Sequence, residues 1–245
     1  MRNGPSRLGP SGRYGVRAVL LAAAVTLVGV PFGLLLHQVT VDGPLTELDE
    51  RLAERLHDRV VDYQGLELVM QAISLTGRGT FLFVLVGLAA LWLLRRGARK
   101  LAVFLVVVSV GGGIVNSLVK LAVGRPRPVF DEPIATAFGK SFPSGHSMGS
   151  FVCYGALLLV FLPLVPRARR SWAVAGTALL VLAIGFSRMA LGVHFLSDVL
   201  GGFVLGAAWL AGSVAAFETW REERGRRRSD PLTEGVEPEE ADELT

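Results

Sequence analysis

Long uncharged apolar runs constrain this chain more than anything else in its sequence. A helix needs about 20 consecutive apolar residues to cross a hydrocarbon core. Six candidates meet that need: Ala18–Leu36, Gly79–Leu94 with a beginning near Leu68, Leu101–Val119, Ser147 to about Leu164, Ser171 to about Ser187, and about Phe195 to Phe217. Charged residues make up 19% of the chain and are clustered between these runs. The first run follows several arginines, as a signal peptide would. It nevertheless carries 19 residues without a charge, and no small-x-small cleavage site follows it, so it is read as a retained helix. The expectation is an all-α polytopic membrane protein with six transmembrane helices and no internal repeat.

Lys/Arg bias sets the orientation. The first 17 residues hold Arg2, Arg7, Arg13 and Arg17. The loop after the second run holds Arg95, Arg96, Arg99 and Lys100, the loop after the fourth holds Arg167, Arg169 and Arg170, and the segment after the sixth holds Arg221, Arg224, Arg226, Arg227 and Arg228. With six spans these 16 of the 25 Lys and Arg residues share one side, which places both termini in the cytoplasm. Because the arginines sit in short loops and not on one soluble face, the net charge of +4 does not indicate a nucleic-acid partner. The single cysteine, Cys153, lies inside an apolar run; no intramolecular disulfide and no Cys/His zinc spacing is available.

The predicted organisation is a cytoplasmic tail over residues 1–16, a transmembrane domain over 17–219, and a cytoplasmic tail over 220–245. Within the domain, residues 44–63 place Leu45, Leu48, Leu52, Leu56, Val60 and Tyr63 at spacings of three and four between charged positions. That pattern predicts an amphipathic helix lying on the outer membrane surface. The last segment is acidic and poor in apolar residues, so it is expected to be disordered.

Three polar groups stand where helix ends meet, and ionisable groups at membrane depth are costly. The first is Lys120 followed by Gly124-Arg125-Pro126-Arg127-Pro128, where glycine and proline end the third helix. Taken alone it fits a snorkelling lysine and interfacial arginines. The second is Pro143-Ser144-Gly145-His146, just before the fourth helix. Ser144 can cap that helix, Gly145 allows close approach of a ligand, and the helix N-terminus favours an anion beside His146. A simple N-cap with an interfacial histidine explains it equally well. The third is Ser187-Arg188, His194 and Asp198. Histidine and aspartate four apart share a helical face; Asp198 can accept from one imidazole nitrogen and leave the other as a nucleophile. A structural His–Asp pair is the plainer alternative. Topology joins the groups: all three fall at the same, extracytoplasmic, face. Cations, histidines, one carboxylate and a helix N-terminus together suit a phosphoryl group. No carboxylates are spaced for a divalent metal, so metal-free chemistry without a cofactor is expected.

In these residues the chain resembles the type-2 phosphatidic acid phosphatase superfamily of membrane lipid phosphatases. Lys120, six residues and Arg127-Pro128 match the first part of its signature; Pro143-Ser144-Gly145-His146 matches the second; Ser187-Arg188, five residues, His194, three residues and Asp198 match the third. Arg125-Pro126 duplicates the Arg-Pro pair, and the spacing from Lys120 selects Arg127. The resemblance implies that His194 attacks phosphorus, Asp198 orients it, and His146 protonates the leaving oxygen and then activates water. It further implies that Lys120, Arg127 and Arg188, with Ser144 and the Gly145 N–H, hold the phosphoryl oxygens. The implied substrate is a lipid phosphate or diphosphate, such as undecaprenyl diphosphate, phosphatidic acid or phosphatidylglycerol phosphate, met at the plasma membrane. A phosphotransferase on the same scaffold and a non-catalytic transporter or binding protein are the alternatives. Oligomeric state leaves no mark in the sequence.

Overall fold

The computed structural model describes residues 26, 29–41, 43–227, 229–242 and 244. Among them there are helices and no β-strands. Helix α1 covers residues 29–40, so most of the first predicted span, Ala18–Leu36, lies outside the described residues. There follow α2 (Pro44–Val61), α3 (Gln64–Thr76), α4 (Gly79–Arg95), α5 (Arg99–Val123), α6 (Gly145–Phe161) with a 3₁₀ turn at Leu162–Leu164, α7 (Arg167–Ala190), α8 (Leu196–Glu223) and the short α9 (Pro238–Asp242).

Four of these are long and apolar enough to cross a membrane: α5, α6 with its 3₁₀ turn, α7 and α8. The second predicted run is not one straight helix. It is broken at Gly77–Arg78 into α3 and α4, which bend by 44° and form a fifth span if taken together. Large apolar side chains such as Phe83, Leu88, Val107, Leu118, Leu121 and Leu179 point outward, as side chains facing lipid do.

Helix α6 is the centre of the bundle, packed against α4, α5, α7 and α8. Its Met148, Val152, Ala156 and Val160 meet Leu93 of α4 and Leu101, Leu105 and Val108 of α5 in the main apolar core. Without a hydrophobic drive between helices in lipid, close packing relies on small residues. Helix α8 presents Gly202-x-x-x-Gly206 to α6. A Cβ at Gly202 would stand 2.8 Å from the Ser144 carbonyl oxygen and 3.1 Å from the Met148 nitrogen. On the other side Trp209 lies against Gly111 and Gly112 of α5 and donates its indole N–H to the Val108 carbonyl at 2.8 Å.

One expectation gains detail and another changes. Helix α2 exists, but the side chains it buries are Asp49, Ala53, His57 and Val60, turned toward α7 and α8. Leu48 and Tyr63 are exposed, and Leu45, Leu52 and Leu56 are half-buried. The polar edge of the helix faces protein because it finds ionic partners there. The acidic tail, expected to lack structure, is docked at the end of the bundle away from Ser144 and Asp198. Glu240 accepts from the free backbone N–H groups of Lys100 and Leu101 at 3.0 and 3.1 Å, serving the open N-terminus of α5. Glu237 pairs with Lys100 at 3.0 Å and Arg221 at 2.9 Å, and both Glu237 and Arg221 are fully buried. Low apolar content misled the reading because ion pairs and helix capping, not apolar area, hold this segment.

Candidate active site

Gly124, in a left-handed conformation at φ 69°, ends α5 and starts the long loop to α6. Ser144 caps α6, with its side chain accepting from the Ser147 N–H, and its own N–H donates to the Asp198 carbonyl at 2.9 Å. The N-terminus of α6 is thereby tied to the first turn of α8. His194 is the last residue but one before α8, and Asp198 sits in its first turn, where Oδ2 accepts from the Phe195 N–H at 2.9 Å.

His194 and Asp198 are both buried, with Nδ1 3.3 Å from Oδ2. Arg127 Nη1 lies 3.0 Å from His194 Nε2. A guanidinium can only donate, so Nε2 carries the lone pair and Nδ1 carries the proton given to Asp198. Burial, together with the positive charges of Arg127 and Lys120, pushes the His194 imidazole down to about 4 even though Asp198 pulls the other way. The ring is therefore neutral at physiological pH.

The cations surround this pair. Lys120 Nζ donates to the carbonyls of Lys140 at 2.7 Å and Ser141 at 3.2 Å. Arg127 also donates to the carbonyls of Val193, Gly139, Phe138 and Lys140, which folds the loop around it. Burial draws the Arg127 guanidinium below its ordinary value, with Asp198 partly offsetting this. A Cβ on Gly145 would stand 3.2 Å from the Asn116 side-chain oxygen and 3.8 Å from Lys120 Cε, so the bare backbone there lies beside the lysine. Arg188, buried on α7, donates to Ser74 Oγ of α3, while its Nε has no hydrogen-bond partner among the described residues. His146, half-buried in the first turn of α6, lies within electrostatic reach of Arg188, His194 and Arg127, and 3.3 Å from the position of a Cβ on Gly77. All eight predicted residues, Lys120, Arg127, Ser144, Gly145, His146, Arg188, His194 and Asp198, thus stand around one spot.

Four further residues join them. Ser141 donates to Asp198 Oδ2 and lies 3.3 Å from His194 Nδ1. Ser74 holds Arg188. Arg125 reaches Asp198 Oδ1 at 2.8 Å and Asp49 Oδ2 at 2.9 Å. Of these only Arg125 had a sequence signal, its duplicated Arg-Pro pair; Ser74, Ser141 and Asp49 had none. Among the described residues no group of three or more His, Cys, Asp or Glu side chains is arranged to hold a metal ion. Removing the Ser74 hydroxyl frees the Arg188 fork, so Ser74→Ala is expected to lower phosphate-releasing activity roughly three- to tenfold by loosening one positioned donor, a modest share of the loss that follows deletion of a donor outright. Steady-state rates of the two proteins check this.

A cavity of about 590 Å³ opens beside the Arg125–Phe130 segment, with Thr40 of α1, and Thr46, Glu50 and Glu54 of α2, on its other wall. Arg127 lines it, so one guanidinium faces both the cavity and His194.

The chain is similar to known membrane lipid phosphatases. The chain is 34% identical over 143 residues to phosphatidylglycerophosphatase B of Bacillus subtilis strain 168, covering 56% of this chain and 68% of that protein. It is 32% identical over 124 residues to the undecaprenyl-diphosphatase BcrC of the same organism, covering 48% and 59%. To a lipid A 1-phosphatase of Rhizobium etli it is 31% identical over 112 residues, covering 42% and 44%. The fold matches the crystal structure of a transmembrane PAP2-type phosphatidylglycerolphosphate phosphatase from Bacillus subtilis, with a TM-score of 0.73 over 83% of this chain and 98% of the other at 23% identity. The PAP2 superfamily profile covers residues 100–222, which hold every residue of the predicted signature, and with that match the chain belongs to the PAP2 superfamily.

Proposed function

We propose that this membrane phosphatase hydrolyses a lipid phosphate or diphosphate monoester through a phosphohistidine on His194, without a metal ion. The observation that carries the proposal is the pair of contacts at His194, Nδ1 facing Asp198 Oδ2 at 3.3 Å and Nε2 facing Arg127 Nη1 at 3.0 Å. With a guanidinium beside Nε2, the ring proton goes to Asp198 and the lone pair faces Arg127. Attack by Nε2 on phosphorus requires Arg127 Nη1 to leave that nitrogen for a phosphoryl oxygen, a short move that also stabilises the growing charge. As the P–N bond forms the imidazole becomes cationic, and Asp198 stabilises it. His146 gives its proton to the departing oxygen, then takes one from the water that splits the phosphohistidine. Asp198 is the one carboxylate of the predicted site, and both its oxygens are committed to protein donors, which supports a metal-independent route.

Likeness to three named lipid phosphatases supports a lipid substrate. In the proposed arrangement the described spans are joined by a sixth near the N-terminus, both termini are cytoplasmic, and the site opens at the outer face of the plasma membrane, where a lipid headgroup enters sideways. Release of inorganic phosphate from phosphatidic acid, phosphatidylglycerol phosphate and undecaprenyl diphosphate by the detergent-purified protein tests the function. Release from none of them, with chelator present or absent, overturns it.

The pH dependence follows from His194. Only the neutral ring attacks, so kcat/KM is expected to rise with pH through about 4 and to show no limb from this residue above that. A limb near the ordinary histidine value of about 6.5 that vanishes on replacing His194 contradicts the buried, neutral nucleophile. The same displacement acts on stability. The unfolded chain takes up this proton near 6.5 and the folded one only near 4, so the residue's contribution is present above 6.5 and declines as pH falls between them.

A further inference from the structure

The geometry points to Arg125 as a positioning residue that, anchored by Asp49 of α2, fixes the Asp198 carboxylate and through it the His194 ring. This rests on reading His194 and Asp198 as the nucleophile and its orienting acid. Five side chains form one unbroken line. Arg127 Nη1 meets His194 Nε2 at 3.0 Å, His194 Nδ1 meets Asp198 Oδ2 at 3.3 Å, Asp198 Oδ1 meets Arg125 Nη1 at 2.8 Å, and Arg125 Nη2 meets Asp49 Oδ2 at 2.9 Å. The two arginines of the Arg-Pro-Arg-Pro repeat therefore hold the dyad from its opposite ends and do different work.

A carboxylate that orients a histidine must itself be kept from turning about its own side-chain torsion. Oδ2 faces the imidazole, and Arg125 pins the other oxygen. While it does this, three of its five guanidinium N–H donors are committed to protein partners. One Nη bonds Asp198 and Ser197 Oγ, the other bonds Asp49, and its plane lies 4.3 Å over the Phe195 ring. Asp49 completes the brace from α2: its Oδ1 accepts from the Ser197 N–H in the first turn of α8 at 2.9 Å and its Oδ2 accepts from the Ser197 hydroxyl. The brace is deeply buried, with Asp49 at 1%, Asp198 at 0% and Arg125 at 7% exposure. A buried ion triad is a poor source of stability compared with apolar packing, whereas a planar fork holding two carboxylates at once is something lysine cannot supply.

The test uses the full chain in detergent with phosphatidic acid as substrate and inorganic phosphate as product inhibitor. Arg125→Lys and Asp49→Asn are each expected to lower kcat about ten- to a hundredfold, as misplacement of a reacting group does, with KM and the phosphate inhibition constant within about twofold. Because both act through one brace, the double variant should lose no more than the worse single one. An unchanged kcat overturns the proposal, as do losses that multiply in the double variant. A change confined to KM also overturns it and makes Arg125 a substrate ligand reached from the adjoining cavity. If Arg125→Lys does not fold, the near-isosteric Asp49→Asn carries the same test alone. His194→Ala, run alongside, separates the two readings: activity retained there removes the nucleophile, whereas an inactive His194→Ala beside an unimpaired Arg125→Lys removes only the brace.

Discussion

Replacing His194 by alanine is expected to reduce phosphate release by at least about 10⁴-fold, the scale on which loss of a covalent nucleophile acts, while the protein stays folded in detergent. The size follows from the division of labour around the ring. The cations and the α6 N-terminus can still hold the phosphoryl group, so binding survives, but the nitrogen proposed to attack phosphorus is gone. The loss should therefore fall on kcat, with KM changed little. Folding should survive because the ring's partners are Arg127, Ser141 and Asp198, each held independently: Arg127 by loop carbonyls, Asp198 by Arg125 and the Phe195 N–H. Steady-state kinetics with labelled lipid phosphate, and an acid-labile, base-stable label on the protein in the parent but not in the variant, measure this. Near-parental turnover in the variant would falsify the nucleophile assignment.

The second large effect is expected at a helix–helix contact beside the site. Gly202→Val should lose the thermal transition of the purified protein or lower it sharply, and activity should fall with it. A Cβ at this position meets the Ser144 carbonyl oxygen, the Ser147 Cβ and the Met148 nitrogen at 2.8–3.1 Å. Two of these are backbone atoms, so no rotamer change relieves the contact; α6 and α8 must part. Overpacking in a tight interface costs about 1–3 kcal/mol, and valine adds two methyls to that first clash. The same displacement would break the Ser144 N–H to Asp198 carbonyl bond that sets the two helix N-termini against each other. A normal melting profile for Gly202→Val would show that the interface is looser than this. Gly212, further along α8, meets nothing within 4 Å and serves as the control.

What was legible in the sequence was what hydropathy and spacing can carry. The runs that became α5 to α8 are long and apolar, and the signature residues repeat a spacing fixed by chemistry. The bend at Gly77–Arg78 was hidden because a hydropathy window averages across it. Helix α2 was legible as an amphipathic helix, but nothing in its pattern showed that Asp49 faces Arg125. In water an amphipathic helix buries its leucines, but beside lipid the leucine edge can stay outside while Asp49 turns in to meet Arg125. Ser141 and Ser74 are ordinary hydroxyls until a fold sets them against a carboxylate or a guanidinium. Arg125 was visible as a duplicate, and only the distances show that the two arginines serve opposite ends of one dyad.

The docked acidic segment changes how the charge at that end of the bundle should be counted. Insertion machinery responds to lysine and arginine near the spans and takes little account of aspartate and glutamate, so Lys100, Arg221, Arg226 and Arg227 all help to set topology. In the folded protein Lys100, Arg221 and Arg226 face Glu237, and Arg227 faces Glu234. Four of the 16 cations that bias orientation during insertion are thus paired with carboxylates afterwards. On the proposed orientation, the mature protein presents a weaker field to the anionic headgroups of the inner leaflet than its arginine content implies.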